Sequence, residues 1–194
     1  KLLLAFGTVS QLGLMIVLVG LGSRGVALGG LALLAAHAMF KASLFLVVGV
    51  VDDAAGTRDL RELSGLGRRL PVTATAAALA TASMAGLPPF AGYVAKEAAL
   101  EGLYHDGTTT DLVAFGVVVL GSVLTLAYGL RFWWGAFATK RHAGAEPTQA
   151  DRPALLLVGP PSVLALAGLA VGLTPGLSER ALAPHAEAYP VGDP

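Results

Sequence analysis

A histidine and a lysine one helical turn apart, His37 and Lys41, stand in the middle of an apolar run from Ala27 to Val51. At 1.5 Å rise per residue a helix over that run is roughly 37 Å long, enough to cross a bilayer with some tilt. Side chains at i and i+4 share one helix face. An ammonium at mid-membrane depth is unfavourable by several kcal/mol unless it meets water or a partner, so the pair is a functional candidate by default. The plainer alternative has His37 hydrogen-bonded to a neighbouring helix and Lys41 in a structural ion pair.

A second candidate follows Gly86-Leu-Pro-Pro-Phe90. Two prolines remove two backbone donors and clash with the preceding turn, so a helix breaks or kinks there. Broken membrane helices leave backbone groups that must be buried in protein or line a wet cavity, and transporters place ion sites at them. Lys96, shortly beyond the break, can therefore gain and lose a proton, with a moving carboxylate as its switch. Glu97, Glu101 and His105 recur at i, i+4 and i+8 and are candidates for ion binding or exit; Glu97, nearest the break, can also hold a cation. The bland reading of Glu101 and His105 is a solvated face near the membrane surface. Thr73, Thr75, Thr81 and Ser83 read as small polar packing residues.

These residues need long apolar elements to hold them, and the chain supplies them. It has 194 residues, 55% hydrophobic and 13% charged, against about 25% charged in a soluble domain. The apolar excess falls in blocks without strand-like alternation, so the fold class is all-α, a polytopic transmembrane helix bundle of five to six spans with one broken helix at Gly86–Phe90. Zero net charge gives no nucleic-acid footprint, and without cysteine there is neither disulfide nor thiolate metal site. No phosphate loop in a βαβ setting, no Ser/His/Asp set and no HExxH motif is present, so no catalytic, cofactor or metal site is expected. Lys1 runs straight into an apolar segment with no cleavage site, which reads as the start of a piece of a longer chain.

The spans are expected at Leu2–Leu21, Ala27–Val51, Pro71–Met84 with its continuation Ala91–Tyr104, Leu112–Phe137 and Ala154–Leu173. Thr8, Ser10 and Gln11 in the first are of the kind that interhelical hydrogen bonds satisfy. Asp111 is the expected cap of the fourth, Trp133 and Trp134 suit an interface, and Pro160-Pro161 is expected to interrupt the last. Residues 175–194 read as a polar, Pro-rich tail. With residues 71–104 as one broken span, Lys1, Arg58, Arg61, Arg68, Arg69, Lys140, Arg141 and Arg152 fall on one side, and Arg24 and Arg180 on the other. That bias makes the 52–70 loop cytoplasmic. A full reversal at the break would give six crossings and a weaker bias.

Several stretches together resemble a known family: Lys1-Leu-Leu-Leu-Ala-Phe-Gly-Thr-Val-Ser-Gln-Leu-Gly13, His37-Ala-Met-Phe-Lys41 with Leu44-Phe-Leu-Val-Val-Gly49, Gly56-Thr-Arg-Asp-Leu60, Leu63-Ser-Gly-Leu-Gly67, and Ala85-Gly-Leu-Pro-Pro-Phe-Ala-Gly-Tyr-Val-Ala-Lys-Glu97. In order and spacing these are similar to the large proton-translocating subunits shared by Mrp-type multisubunit sodium/proton antiporters and respiratory complex I. The 56–67 loop and the Lys-Glu-Ala after the break look most like the large A-type subunit of the Mrp branch. Beyond Tyr104 the resemblance fades into generic apolar helices.

The resemblance implies that Lys1, His37, Lys41 and Lys96 belong to a polar axis across the membrane centre, with protons passing along lysines, histidines and water, and Lys96 leading to one exit. It implies a secondary transporter subunit in the cell (inner) membrane, working in sodium/proton antiport beside other membrane subunits, with residues 1–174 as the second half of the antiporter-like domain. The family's first half, with its own broken helix and its glutamate–lysine pair, is not in this chain. Leu33 stands where relatives of the complex I branch carry a further histidine, and Asp53 where many relatives carry another. The rival readings are a redox-driven pump subunit of complex I or of a membrane-bound hydrogenase, and a purely structural membrane subunit.

Overall fold

Hydropathy alone selects four helices that are long and apolar enough to cross a membrane, and the computed structural model of the chain forms them among eight. It describes residues 1–21, 23–140 and 148–189. In order these are α1 (Leu2–Gly20), α2 (Arg24–Ala55), α3 (Leu66–Arg69), α4 (Pro71–Ala85), α5 (Ala91–Asp106), α6 (Thr109–Phe137), α7 (Leu155–Leu173) and α8 (Pro175–Ala186). All regular structure among the described residues is helical.

Helix α2 is the axis of the bundle and packs against α1, α4, α5, α7 and α8. Ser23 caps its start by accepting from the Val26 amide at 3.3 Å. Its end is set by Gly56 at φ 70°, a left-handed C-terminal residue. Leu33, Phe40, Leu44 and Val47 on α2 join Leu4, Leu18, Met84 and Leu103 in the buried core. Large apolar side chains of α1, α6 and α7 face outward instead, among them Phe6, Ile16, Leu120, Leu155 and Leu156. An outward apolar surface of this extent fits lipid or a neighbouring subunit.

The break is real, and it does not reverse the chain. Helix stops at Ala85 and restarts at Ala91. The long α6 records the path of both pieces: Phe115 lies on Tyr104 of α5 with ring centroids 6.5 Å apart. Further along, Gly129 abuts Thr81 and Met84 of α4. Near its end the Trp133 indole donates to the Ala74 carbonyl at 3.0 Å. Contacts that fall in this order along one helix mean that α4 and α5 form a single interrupted crossing. Five crossings result, at the lower end of the five to six expected.

Four details depart from the sequence expectations. Thr108, not Asp111, is the N-cap of α6; its hydroxyl accepts from the Asp111 amide, and the Asp111 carboxylate accepts in turn from the Thr108 amide, a reciprocal pair at three-residue spacing. Helix α5 runs past the expected end at Tyr104, so that His105 belongs to its last turn. Helix α7 runs through Pro160 and Pro161 without interruption, held there against α2, whose Ser43 hydroxyl donates to the Pro161 carbonyl at 2.8 Å. The expected tail forms α8 over residues 175–186, started by Pro175 at a position where its missing N–H does no harm, and packed on α2. Arg141, counted in the charge bias, and the tail's last five positions, 190–194, lie outside the described residues.

Candidate functional site

The buried basic residues come from two elements and are held by backbone oxygen. His37 and Lys41 project from the middle of α2, 6% and 4% exposed. The Lys41 ammonium donates to the Leu4 carbonyl of α1 at 3.1 Å. That carbonyl also accepts from the Thr8 hydroxyl at 3.0 Å. Room for the amine comes from Gly7, where a Cβ would sit 2.9 Å from Lys41 Nζ and 2.7 Å from the Tyr128 hydroxyl. The amine also lies over the Tyr128 ring, 5.5 Å from its centroid, close enough for a cation–π attraction. His37 stands edge-on to Phe40 at 5.2 Å, and its Nδ1 is buried with no protein hydrogen-bond partner among the described residues. A buried ring nitrogen of this kind is normally met by water.

Lys96 is 5% exposed and reaches back across the break. Its ammonium donates to the carbonyls of Met84 at 3.1 Å and Ala85 at 3.2 Å. These are carbonyls of the last turn of α4, which have no intrahelical donor of their own. Gly86 makes the reach possible twice over: its φ of 81° turns the chain, and a Cβ there would lie 2.9 Å from the lysine stem. Sequence spacing places the lysine near the break; the structure shows it capping the broken end.

Neither amine has a carboxylate partner among the described residues. The two ion pairs found there are Arg58–Asp52 at 3.2 Å and Arg61–Asp59 at 2.9 Å, both between solvent-accessible side chains of residues 52–70. Hydrogen bonds from Arg61 hold the Asp59 carboxyl below the usual carboxylate range. The structural ion-pair alternative for Lys41 and Lys96 therefore finds no partner in the described residues.

The other candidates are dispersed. Lys1 is exposed at the start of α1, in a small recess with Val48, Val51 and Arg58. Glu97 is exposed. Glu101 and His105 line a cavity of about 570 Å³ between α2, α5 and α8, with Asp106 and Glu179. Lys96 does not line that cavity. The structure thus brings His37 and Lys41 together, and draws Lys96 towards them through Met84, but it separates Lys96 from Glu101 and His105.

The polar residues of α6 escape a reading of the sequence. Tyr128 donates its hydroxyl to the Met84 sulfur at 3.4 Å. Thr125 accepts from the Gln11 amide at 3.2 Å, the interhelical bond expected of Gln11. Thr125 and Tyr128 are three residues apart in the otherwise apolar stretch 123–130, and that spacing is the signal that could have found them.

Comparisons with known proteins converge on one family. A family model described as NADH:quinone oxidoreductase/Mrp antiporter, transmembrane, matches residues 1–125. The chain is 33% identical to the A1 subunit of the Na(+)/H(+) antiporter of Staphylococcus haemolyticus, over 94% of this chain and 25% of that protein. It is 39% identical to the A/B subunit of a probable K(+)/H(+) antiporter of Rhizobium meliloti, over 90% of this chain and 18% of that protein. Among solved structures, the Mrp complex from Dietzia sp. DQ12-45-1b superposes with a TM-score of 0.86 at 27% identity, covering 96% of this chain and 42% of that one. Respiratory complex I from Thermus thermophilus superposes with a TM-score of 0.80 at 29% identity, covering 95% and 38%. The chain spans a quarter or less of the length of these two curated relatives.

Proposed function

The chain belongs to the NADH:quinone oxidoreductase/Mrp antiporter transmembrane family, and from that premise we propose that it conducts protons in cation/proton antiport as part of the large A-type subunit of an Mrp antiporter. Residues 1–174 form the second half of the antiporter-like domain in this reading, and other membrane subunits complete the complex. The exchanged cation is monovalent, with sodium the first choice. The site is the cell (inner) membrane, and the 52–70 loop faces the cytoplasm. Charge supports that orientation, since arginines 58, 61, 68 and 69 and Lys140 lie at the loop end of α2 and the Lys140 ammonium bonds the Leu60 carbonyl.

One observation carries the proposal. Two ammonium groups are buried in the bundle, one against α1 and one at α4's broken end, each held by peptide carbonyls and neither tied to a carboxylate among the described residues. Carbonyls orient an amine without neutralising it, so its proton remains transferable to water. In this scheme a proton passes between Lys41, His37 and Lys96 through ordered water, with Lys1 at the loop end and Glu97, Glu101 and His105 as candidates for exit or cation binding.

The test uses the complete antiporter complex in everted vesicles, with sodium-driven proton release read by a pH-sensitive dye. Lys41→Ala and Lys96→Ala are each expected to abolish exchange while the complex still inserts and assembles. Normal exchange by either variant contradicts the scheme. The likeness to complex I favours one further reading, a redox-driven pump subunit. Quinone-reductase activity that copurifies with the chain decides for it.

A further inference from the structure

Between the two lysines stands a residue outside the segment that the family model matches. Tyr128 of α6 presents its ring to Lys41, 5.5 Å from amine to centroid. Its hydroxyl donates to the sulfur of Met84 at 3.4 Å. The carbonyl of the same Met84 accepts from Lys96 at 3.1 Å. Met84 is fully buried and Tyr128 is half-buried, so the phenol reaches from the outer side of the bundle to a buried sulfur. Gly7 sharpens the geometry: one point beside its Cα is 2.7 Å from the phenol oxygen and 2.9 Å from Lys41 Nζ. The two groups face each other across a side chain that is not there.

We propose that Tyr128 is the link through which the protons of Lys41 and Lys96 are coupled, a deepening that rests on the proton-conducting reading above. The ring face holds the Lys41 ammonium where no carboxylate among the described residues does. The hydroxyl is a proton station. It has one proton to give and two lone pairs to accept with, and its present acceptor, a thioether, is weak and readily exchanged for water or an amine. In the transfer, the Lys41 ammonium loses an N–H to the phenol oxygen through intervening water. The phenol O–H breaks towards Lys96, whose neutral amine gains the proton. Lys41 ends neutral, Lys96 ends charged, and the phenol is restored. Beside Met84, Thr81 has a buried hydroxyl with no partner among the described residues, and Gly129 packs on both.

The experiment compares Tyr128→Phe, Tyr128→Leu and Gly7→Ala with Lys41→Ala and Lys96→Ala in the complete complex, in everted vesicles with sodium chloride as the probe and exchange recorded across pH. Tyr128→Phe keeps the ring and removes the hydroxyl. It is expected to slow exchange roughly tenfold, the scale of one lost hydrogen bond to a charged group, and to displace the pH profile at unchanged amounts of assembled complex. Tyr128→Leu also removes the cation–π face and is expected to slow exchange further. Gly7→Ala, which drives a methyl between the two groups, is expected to resemble Tyr128→Phe. Tyr128→Phe at wild-type rate and pH profile, with both lysine variants inactive, overturns the role of Tyr128 alone. So does a slower Tyr128→Phe whose pH profile is unmoved, because a merely structural phenol would behave that way. Exchange that survives in the lysine variants overturns the underlying reading instead. If Tyr128→Leu lowers the amount of complex, the isosteric Tyr128→Phe still decides.

Discussion

Two polar regions share the bundle and are built on opposite terms. Around Met84, two ammonium groups and a phenol are packed among helices, the amines with backbone carbonyls as their partners. On the far side of α5, a cavity of about 570 Å³ opens between α2, α5 and α8, with Glu101, His105, Asp106 and Glu179 on its walls. The first region has cations and little room; the second has room and acidic groups. A tight region passes charge along fixed groups and the ordered water between them, because reorganising it means moving packed helices. A roomy one can exchange ions with its surroundings without such movement. Under the proposed function, the first region is the place for transfer and the second the place for access.

The sharpest way to break this contrast is to loosen the tight region. A Cβ on Gly92 would lie 1.8 Å from the Ser83 carbonyl oxygen, so Gly92→Ala must push α5 off α4. We expect destabilisation of about 3 kcal/mol or more, seen as loss of assembled complex after detergent extraction. Gly49→Ala, with nothing within 4 Å of the new methyl, is expected to leave it unchanged.

Next comes the functional contrast. Lys96→Ala is expected to lower exchange by a factor of about 100 or more, the scale of removing a group that carries the proton. Glu101→Gln in the cavity is expected to stay within about threefold. Equal losses in the two variants, measured as initial rates of dye recovery, erase the distinction between transfer and access.

A smaller effect sharpens the tight side. Thr125→Val strips the Gln11 amide of its partner at 3.2 Å. Destabilisation of about 1 kcal/mol is expected, in line with interhelical hydrogen bonds in membranes, read as a lowered midpoint of thermal inactivation. Gln11→Leu in the same background is expected to recover part of it, since the orphaned amide is then gone.

The smallest effect lies outside both regions. Arg61 depresses the Asp59 carboxyl, so the pair stabilises the folded loop above the unfolded carboxylate range and ceases to do so as pH falls through the folded value. Asp59→Asn is expected to differ slightly from wild type in thermal midpoint near neutral pH, and the difference is expected to close below about pH 4. A difference that widens on acidification refutes the sign.

His37, Lys41 and Lys96 were legible in the sequence because an ionisable group in an apolar run is conspicuous by itself, and the break announced itself through two adjacent prolines. Tyr128 was not, because a phenol in a membrane helix has an ordinary place at the interface, and its partner Met84 is 44 residues away. Trp133 shows the same limit: it suits an interface by type, yet its indole ties α6 to Ala74 of α4. The prolines of α7 misled because helix breaking is a local rule, whereas packing against α2, with Ser43 bonded to the Pro161 carbonyl, carries the helix through them. The series Glu97, Glu101, His105 was read from spacing, which places residues on a face but does not say what that face meets.

The partners of Lys96 are the carbonyls that end α4. They form the negative pole of a helix macrodipole. A carboxylate counter-ion would itself take up a proton in acid and release it in alkali, so the field at the lysine would drift with the medium. A dipole made of peptide bonds has no such titration. The broken helix therefore gives Lys96 a partner whose own charge does not change with pH.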